Sequence, residues 1–127
     1  MKNATIKNLH LSLSVLCIIP VALVYGLHPD KIFLELFDIK MDTVNLKNIF
    51  RAMMGLYLAF SSFWIIGIIK PRYWTTATLT NIVFMGGLAF GRLLSLALDG
   101  LPSIYFWVGL LVEVFFAVWG ARNIGKY

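Results

Sequence analysis

Four long apolar stretches alternate with polar segments along the 127-residue chain. They cover residues 9–27, 49–69, 77–98 and 104–121, and each is close to the about 20 residues with which an α-helix crosses a bilayer. The two later connections are short, which makes consecutive helices antiparallel neighbours. The pattern therefore predicts an all-α membrane protein, with a single antiparallel bundle of four transmembrane helices over residues 1–127.

The connection between the first two stretches is longer, from about His28 to Lys47. Apolar residues recur within it at near-helical spacing, among charged ones: Ile32, Phe33, Leu36, Phe37 and Ile39. Such a pattern is typical of a short amphipathic helix that lies on a membrane surface. The alternative is that this segment only caps the bundle, and the sequence leaves both interpretations open.

Composition supports a lipid environment, because 60% of the residues are hydrophobic and 13% are charged. Soluble domains carry about 25% charged residues. The net charge of +5 would suggest nucleic acid in a soluble protein, but here the basic residues flank the apolar stretches. The expected partner is therefore the lipid bilayer, and no nucleic acid is expected. A single cysteine, Cys17, excludes an internal disulfide.

The lysines and arginines also predict an orientation. They lie before the first stretch, after the second and after the fourth: Lys2, Lys7, Lys70, Arg72, Arg122 and Lys126. The first connection mixes both signs of charge, and the third carries only Asp99. Because basic residues concentrate in cytoplasmic connections, both termini and the middle connection are predicted to be cytoplasmic.

Small residues recur at helical spacing in three of the stretches. Gly87 and Gly91 form a GxxxG pair, Gly55 lies one turn from Ala59, and Gly109 begins a similar stripe in the fourth stretch. Lipid provides no hydrophobic drive for helices to associate, so small residues mark the faces where backbones approach. These four glycines are therefore predicted to lie at helix contacts.

Three charged residues, Arg51, Arg92 and Glu113, lie inside apolar stretches. A charge at the bilayer centre costs about 2.5–3.5 kcal/mol on the lenient scale, so it normally has a partner. Arg92 and Glu113 lie about 10 and 15 Å from the same end of their helices, a difference within the reach of an arginine. We predict an ion pair between them, which Asp99 could share. Arg51 is shallower, and it either reaches the membrane surface or turns toward Asp99.

Together these residues predict a polar cluster near one end of the bundle. The candidate binding residues are Arg51, Tyr57, Arg92, Ser95, Asp99 and Glu113. In one interpretation the ion pair only locks the helix register. In the other, the cluster lines a pocket in which Arg51 and Arg92 hold an anionic or polar head group. Buried ion pairs are weak evidence for stability, because desolvation offsets their attraction.

Other chemistry finds little support in the sequence. His10 and His28 are about 27 Å apart along one helix, so they cannot share a metal ion. The glycines match neither a P-loop nor a dinucleotide fingerprint. We therefore expect no metal and no cofactor, and we leave enzymatic activity open while favouring its absence.

The segments 51–57, 91–95 and 99–103, together with Glu113, resemble the recurring pattern of a small bacterial membrane family. That family has four predicted helices, spans nearly the whole length of this chain and is catalogued only as a domain of unknown function. The resemblance implies a bacterial inner membrane and directs attention to the charged residues of these segments. It implies no activity.

Three functions follow as hypotheses. The first is a binding or carrier protein for a small or lipid-like amphiphile, which requires a cavity beside Arg92 and Glu113. The second is an accessory or scaffold subunit, which requires a face for a membrane-protein partner or for a homo-oligomer. The third is a membrane enzyme with Glu113 as acid or base, which requires a carboxylate that Arg92 does not neutralise. We expect the first.

Overall fold

A computed structural model describes the backbone of residues 2–127 and the side chains of residues 4–127. The Lys2 side chain, used above for the orientation, lies outside the described residues. Every regular element in the described part is helical: α1 (Lys2–Gly26), α2 (Pro29–Phe37), α3 (Val44–Ile69), a 3₁₀ turn (Pro71–Tyr73), α4 (Trp74–Asp99) and α5 (Ile104–Lys126).

Four of these helices, α1, α3, α4 and α5, are long and apolar enough to cross a membrane. The predicted all-α, four-helix architecture is confirmed, and the chain is a multi-pass membrane protein. The helices extend beyond the apolar stretches. α3, for example, begins five residues before the predicted start, after Thr43, whose hydroxyl accepts a hydrogen bond from the Leu46 amide at 3.1 Å. Polar residues continue a capped helix as readily as apolar ones do, so hydropathy underestimates helix length.

The amphipathic segment of the first connection is α2. Its Phe33 is buried against the rings of Tyr25 on α1 and Phe50 on α3, at centroid distances of 5.7 and 4.5 Å. The helix ends at Phe37, because Asp38 adopts a left-handed conformation with φ 54°, so Ile39 lies outside it. By its buried face, α2 therefore caps one end of the bundle, called here the α2 end.

An ion pair holds the start of α2 to α3. Lys47 Nζ lies 3.6 Å from Asp30 Oδ2. The backbone amide of Asp30 and the nearby Lys47 keep the pKa of the Asp30 carboxyl below its usual range, since both favour the charged carboxylate. Both side chains keep a third or more of their surface exposed, so this contact orients α2 rather than stabilising the bundle strongly.

The spanning helices pack as two antiparallel pairs. α1 packs most extensively on α3 and α4 on α5, and the two pairs meet mainly where α3 contacts α4. The predicted neighbours in sequence, α3 with α4 and α4 with α5, are therefore neighbours in space. Between the pairs the core is aromatic: the Phe84 ring of α4 lies 4.9 Å from that of Tyr57 and 5.3 Å from that of Trp64 on α3.

The glycines require a correction. A Cβ added at Gly55, Gly87 or Gly91 would have no heavy atom of another described element within 4 Å, so the structure does not place these three at helix contacts. The physical reason is that these three glycines are exposed, so they lie on helix faces that the neighbouring helices do not cover. The tight contacts lie at other glycines: a Cβ at Gly67 would collide with that of Ala77, and a Cβ at Gly26, at the α2 end, would collide with the Met54 side chain.

Candidate functional site

The centre of the candidate site is an ion pair between α4 and α5. Arg92 Nε donates to both carboxylate oxygens of Glu113, at 2.9 and 2.8 Å. The predicted contact between these two side chains is thus present. Glu113 is nearly buried, at 6% exposure, whereas the Arg92 side chain keeps 22%.

A single face of α5 receives the Arg92 side chain. Its guanidinium carbon lies 3.5 Å from the position of a Cβ on Gly109 and 5.5 Å from the ring centre of Phe106. Phe106, Gly109 and Glu113 are spaced three and four residues apart, so they lie one above another on the helix. Gly109 therefore gives the arginine room to lie along α5, which differs from the helix-packing role predicted for it.

Two tyrosines complete the polar centre from the other helix pair. Tyr57 on α3 is buried at 2% exposure, and its ring lies 5.5 Å from that of Tyr25 on α1. The Tyr25 side chain interacts with both Tyr57 and Arg92. Each of the four spanning helices thus contributes one polar side chain. Sequence reasoning predicted Tyr57, Arg92 and Glu113 but missed Tyr25, because a lone tyrosine near a helix end resembles an ordinary interfacial aromatic.

Ser95 and Asp99 lie farther along α4. Ser95 Oγ donates to Asp99 Oδ2 at 2.7 Å, and both residues are exposed. Asp99, whose carboxylate could have shared Arg92, is bonded by Ser95 instead. The reason is local, since residues four apart on a helix face each other and seven residues separate Asp99 from the arginine.

Arg51 lies away from the polar centre. Its Nη1 donates to the carbonyl oxygen of Gly26 at 2.9 Å. The last carbonyls of a helix have no partner within it, so the end of α1 offers a nearby acceptor to the arginine. Arg51 is exposed and bonds the end of α1 rather than turning toward Asp99, and it lines neither cavity described next.

Two cavities flank the ion pair at the α2 end. The first, of about 450 Å³, lies beside α3, α4 and α5, with Gly87, Gly91 and Ser95 in its lining. The second, of about 290 Å³, lies between α1 and α5 beneath Phe37 of α2, with Glu113 in its lining. Both volumes are close to or within the range of about 300–1,000 Å³ typical of small-molecule sites.

The two cavities share four lining residues, which we call the shared wall: Tyr25, Tyr57, Arg92 and Phe106. The rest of both linings is mostly apolar, with Met53, Leu88 and Leu110 in the first cavity and Ile18, Val21 and Val24 in the second. This arrangement places a guanidinium and two phenol groups between two apolar chambers. It suits a molecule with a small polar part and apolar arms.

His10 is remote from this site. Its Nε2 lies 2.9 Å from the Phe116 carbonyl oxygen, and its ring packs on those of Phe116 and Trp119. It is a core residue at the end of the bundle that carries both termini. Within the described part of the chain, no cluster of three or more His, Cys, Asp or Glu side chains is arranged to hold a metal ion.

A family model described as "Domain of unknown function (DUF4345)" matches residues 6–121. The chain belongs to the DUF4345 family. The match covers every residue of the shared wall and Glu113, so the site lies within the family's domain. No curated protein and no solved structure matches the chain.

Proposed function

We propose that this DUF4345 protein binds a small or lipid-like amphiphile in the cavities beside Arg92 and Glu113, as a binding or carrier protein. The observation that carries the proposal is the first cavity, a space of about 450 Å³ with an apolar lining and the Arg92 guanidinium in its wall. Ligand sites are mostly apolar cavities with a few convergent polar groups, which is the chemistry found here.

The exposure of Arg92 favours binding over a purely structural role. A pair that only locked two helices would be enclosed by other side chains, as Glu113 is. Arg92 instead keeps 22% of its side chain exposed and lines both cavities. Polar side chains within membrane spans are costly and commonly mark ligand or ion pathways.

The proposal includes a cellular setting. The protein lies in a bacterial inner membrane with both termini in the cytoplasm, which puts the cavities in the half of the bilayer away from the cytoplasm. Lys70 and Arg72, beside the connection between α3 and α4, support this orientation. The ligand enters sideways from the lipid, since the exposed surface of the spanning helices is apolar.

Filling the first cavity tests the proposal without touching the ion pair. Gly91 lines that cavity, whereas Gly55 is equally open but lines neither cavity. We expect native mass spectrometry in mild detergent to find a defined extra mass on the wild type and on Gly55→Leu, and no extra mass on Gly91→Leu. Bare wild-type protein, or an adduct that persists on Gly91→Leu, would argue against the proposal.

A second candidate is the accessory or scaffold subunit. The open faces of Gly55 and Gly86 favour it, because none of the described residues covers either of them and neither lines a cavity. A second copy or a membrane partner could pack its helix there. The same spectra test this candidate, since a stable oligomer that Gly55→Leu disrupts would support it.

The enzymatic hypothesis is the weakest of the three. A general acid or base must exchange a proton with a substrate, but Arg92 Nε contacts both oxygens of Glu113. The geometry in this state therefore favours binding over catalysis.

A further inference from the structure

The charges around the two cavities balance. Arg92 and Glu113 are the only charged side chains in the described lining of either cavity, and they pair with each other. Arg51, which would have given a second positive charge, is bonded to Gly26. The next charged group along α4 is Asp99, bonded to the lining residue Ser95, and it is negative. An anionic head group would therefore meet no unpaired cation.

The hydrogen-bonding groups of the site are mostly donors. A guanidinium has five N–H groups, of which Glu113 accepts the one on Nε. The hydrogen bonds to Glu113 do not involve the terminal nitrogens, and the Arg92 side chain lines both cavities, with Tyr25 as a further partner. The hydroxyls of Tyr25 and Tyr57, at 7% and 2% exposure, are about as buried as the main acceptor, Glu113, which is engaged at both oxygens. The site thus has the remaining N–H groups of Arg92 to offer to a ligand and little unused acceptor capacity.

From this balance, and resting on the proposed function, we propose that the ligand is an uncharged lipid whose polar part consists of ester or carbonyl oxygens. Such oxygens accept hydrogen bonds from the remaining N–H groups of Arg92 without breaking the ion pair. An anionic lipid at the same groups would bring a second negative charge beside the Glu113 carboxylate, with Arg92 as the only cation in the described lining for both. Two like charges that share one counter-charge in a site of low dielectric repel each other, which is unfavourable.

The apolar part of this ligand follows from the two chambers. They meet at the shared wall but extend to different sides of the bundle, one beside α3 and α4 and the other beneath α2. A lipid with its ester groups at Arg92 therefore places its apolar chains in one or both chambers. A diacylglycerol has this combination of uncharged ester oxygens and apolar chains.

Matched lipids test the proposal. Delipidated full-length protein in detergent is titrated with dioleoylglycerol, dioleoyl phosphatidic acid and dioleoyl phosphatidylethanolamine, which share acyl chains and differ in head-group charge. Native mass spectrometry measures the bound fraction of each. We expect the wild type to bind dioleoylglycerol about tenfold more tightly than phosphatidic acid, because the anion must compete with Glu113.

Two variants isolate the role of charge. Glu113→Gln leaves Arg92 without its counter-charge and is expected to shift the preference toward phosphatidic acid by about tenfold or more. Glu35→Gln removes the same charge from the exposed face of α2, outside both cavities, and is expected to leave the preference unchanged. If Glu113→Gln does not fold, the wild-type preference alone decides the question.

The outcomes separate this inference from the proposed function. Preference of the wild type for phosphatidic acid or phosphatidylethanolamine would overturn the uncharged ligand while leaving lipid binding intact. An unchanged preference in folded Glu113→Gln would also overturn it. Binding of none of the three lipids would overturn this inference, and an adduct on freshly purified protein would then show whether the proposed function survives.

Discussion

Arg92 contacts Glu113 through Nε alone, with one N–H shared between two carboxylate oxygens at 2.9 and 2.8 Å. An arginine that serves as a rigid clamp commonly uses two parallel N–H groups in a fork, and that geometry is stronger and more specific. Here the terminal nitrogens make no hydrogen bond to Glu113, and Nη2 lies 3.5 Å from the position of a Cβ on Gly109. The contact therefore neutralises the arginine while leaving part of its donor capacity for the cavities.

The stability of the bundle should depend on this pair asymmetrically. Glu113→Ala leaves Arg92 unpaired between two apolar helices, and we expect it to lower the free energy of unfolding by about 3–5 kcal/mol. The double variant Arg92→Ala, Glu113→Ala removes both charges and should be less destabilised than that single variant. Unfolding in mixed detergent and SDS, followed by circular dichroism, measures both.

Glu35→Ala is the control for this comparison, since Glu35 is exposed on α2 and should have little effect. Equal stability of Glu113→Ala and the double variant would show that the two side chains do not depend on each other. The ion pair would then be unnecessary for the fold.

Two glycines on α3 should respond in opposite ways to the same change. A Cβ at Gly67 would collide with Ala77, and a methyl group cannot rotate away, so Gly67→Ala should cost about 1–3 kcal/mol. A Cβ at Gly55 meets nothing within 4 Å, so Gly55→Ala should be neutral or stabilise the helix by up to about 1 kcal/mol. Thermal melting of both variants in detergent checks this. Similar melting temperatures would mean that α3 and α4 do not approach at Gly67 as described.

Arg51 should matter for packing but not for ligand choice. Arg51→Met removes the hydrogen bond to the Gly26 carbonyl and should lower stability by about 1 kcal/mol. Because Arg51 lines neither cavity, the relative affinities for the three dioleoyl lipids should stay the same. Lys40→Met, at an exposed lysine between α2 and α3, is the control for loss of a positive charge. A changed lipid preference in Arg51→Met alone would restore the two-arginine site that its position in the sequence suggested.

The ion pair could be predicted from the distance of each residue from the same end of its helix. Two charges inside apolar helices need partners, and the rise per residue places Arg92 and Glu113 within about one arginine length of each other along the bundle axis. The four membrane spans and their order could be predicted in the same way, because segment length and hydropathy determine them. These predictions depend on one helix at a time, or on helices joined by a short connection.

The remaining features depend on how helix faces rotate against each other. Gly87 and Gly91 line an open cavity, and Gly109 accommodates an arginine side chain, although their spacing resembled a helix contact. Arg51 donates a hydrogen bond to a carbonyl oxygen at the end of α1, a contact that no pattern of charges in the sequence predicts. Tyr25 lies in the site because α1 packs on α3. A repeat of small residues in the sequence identifies one face of a helix, but it does not tell whether a second helix, a side chain or a cavity lies against that face.

The orientation in the membrane can be tested with single cysteines in a Cys17→Ser background. Thr75 lies exposed near the middle connection, and Ser103 lies exposed between α4 and α5. With the termini in the cytoplasm, a membrane-impermeant maleimide applied to spheroplasts should label Ser103→Cys and not Thr75→Cys. Permeabilised membranes should allow labelling of both, which controls for reactivity.

The basic residues provide the matching perturbation. Lys70→Gln with Arg72→Gln removes both charges beside the middle connection, and the positive-inside bias should weaken as a result. Lys7, Arg122 and Lys126 still favour cytoplasmic termini, so we expect a mixed population in which a minority of Thr75→Cys becomes accessible from outside. If Thr75→Cys were labelled in intact spheroplasts with Lys70 and Arg72 unchanged, the true orientation would be the reverse of the proposed one. The Arg92 cavities would then lie in the cytoplasmic half of the bilayer.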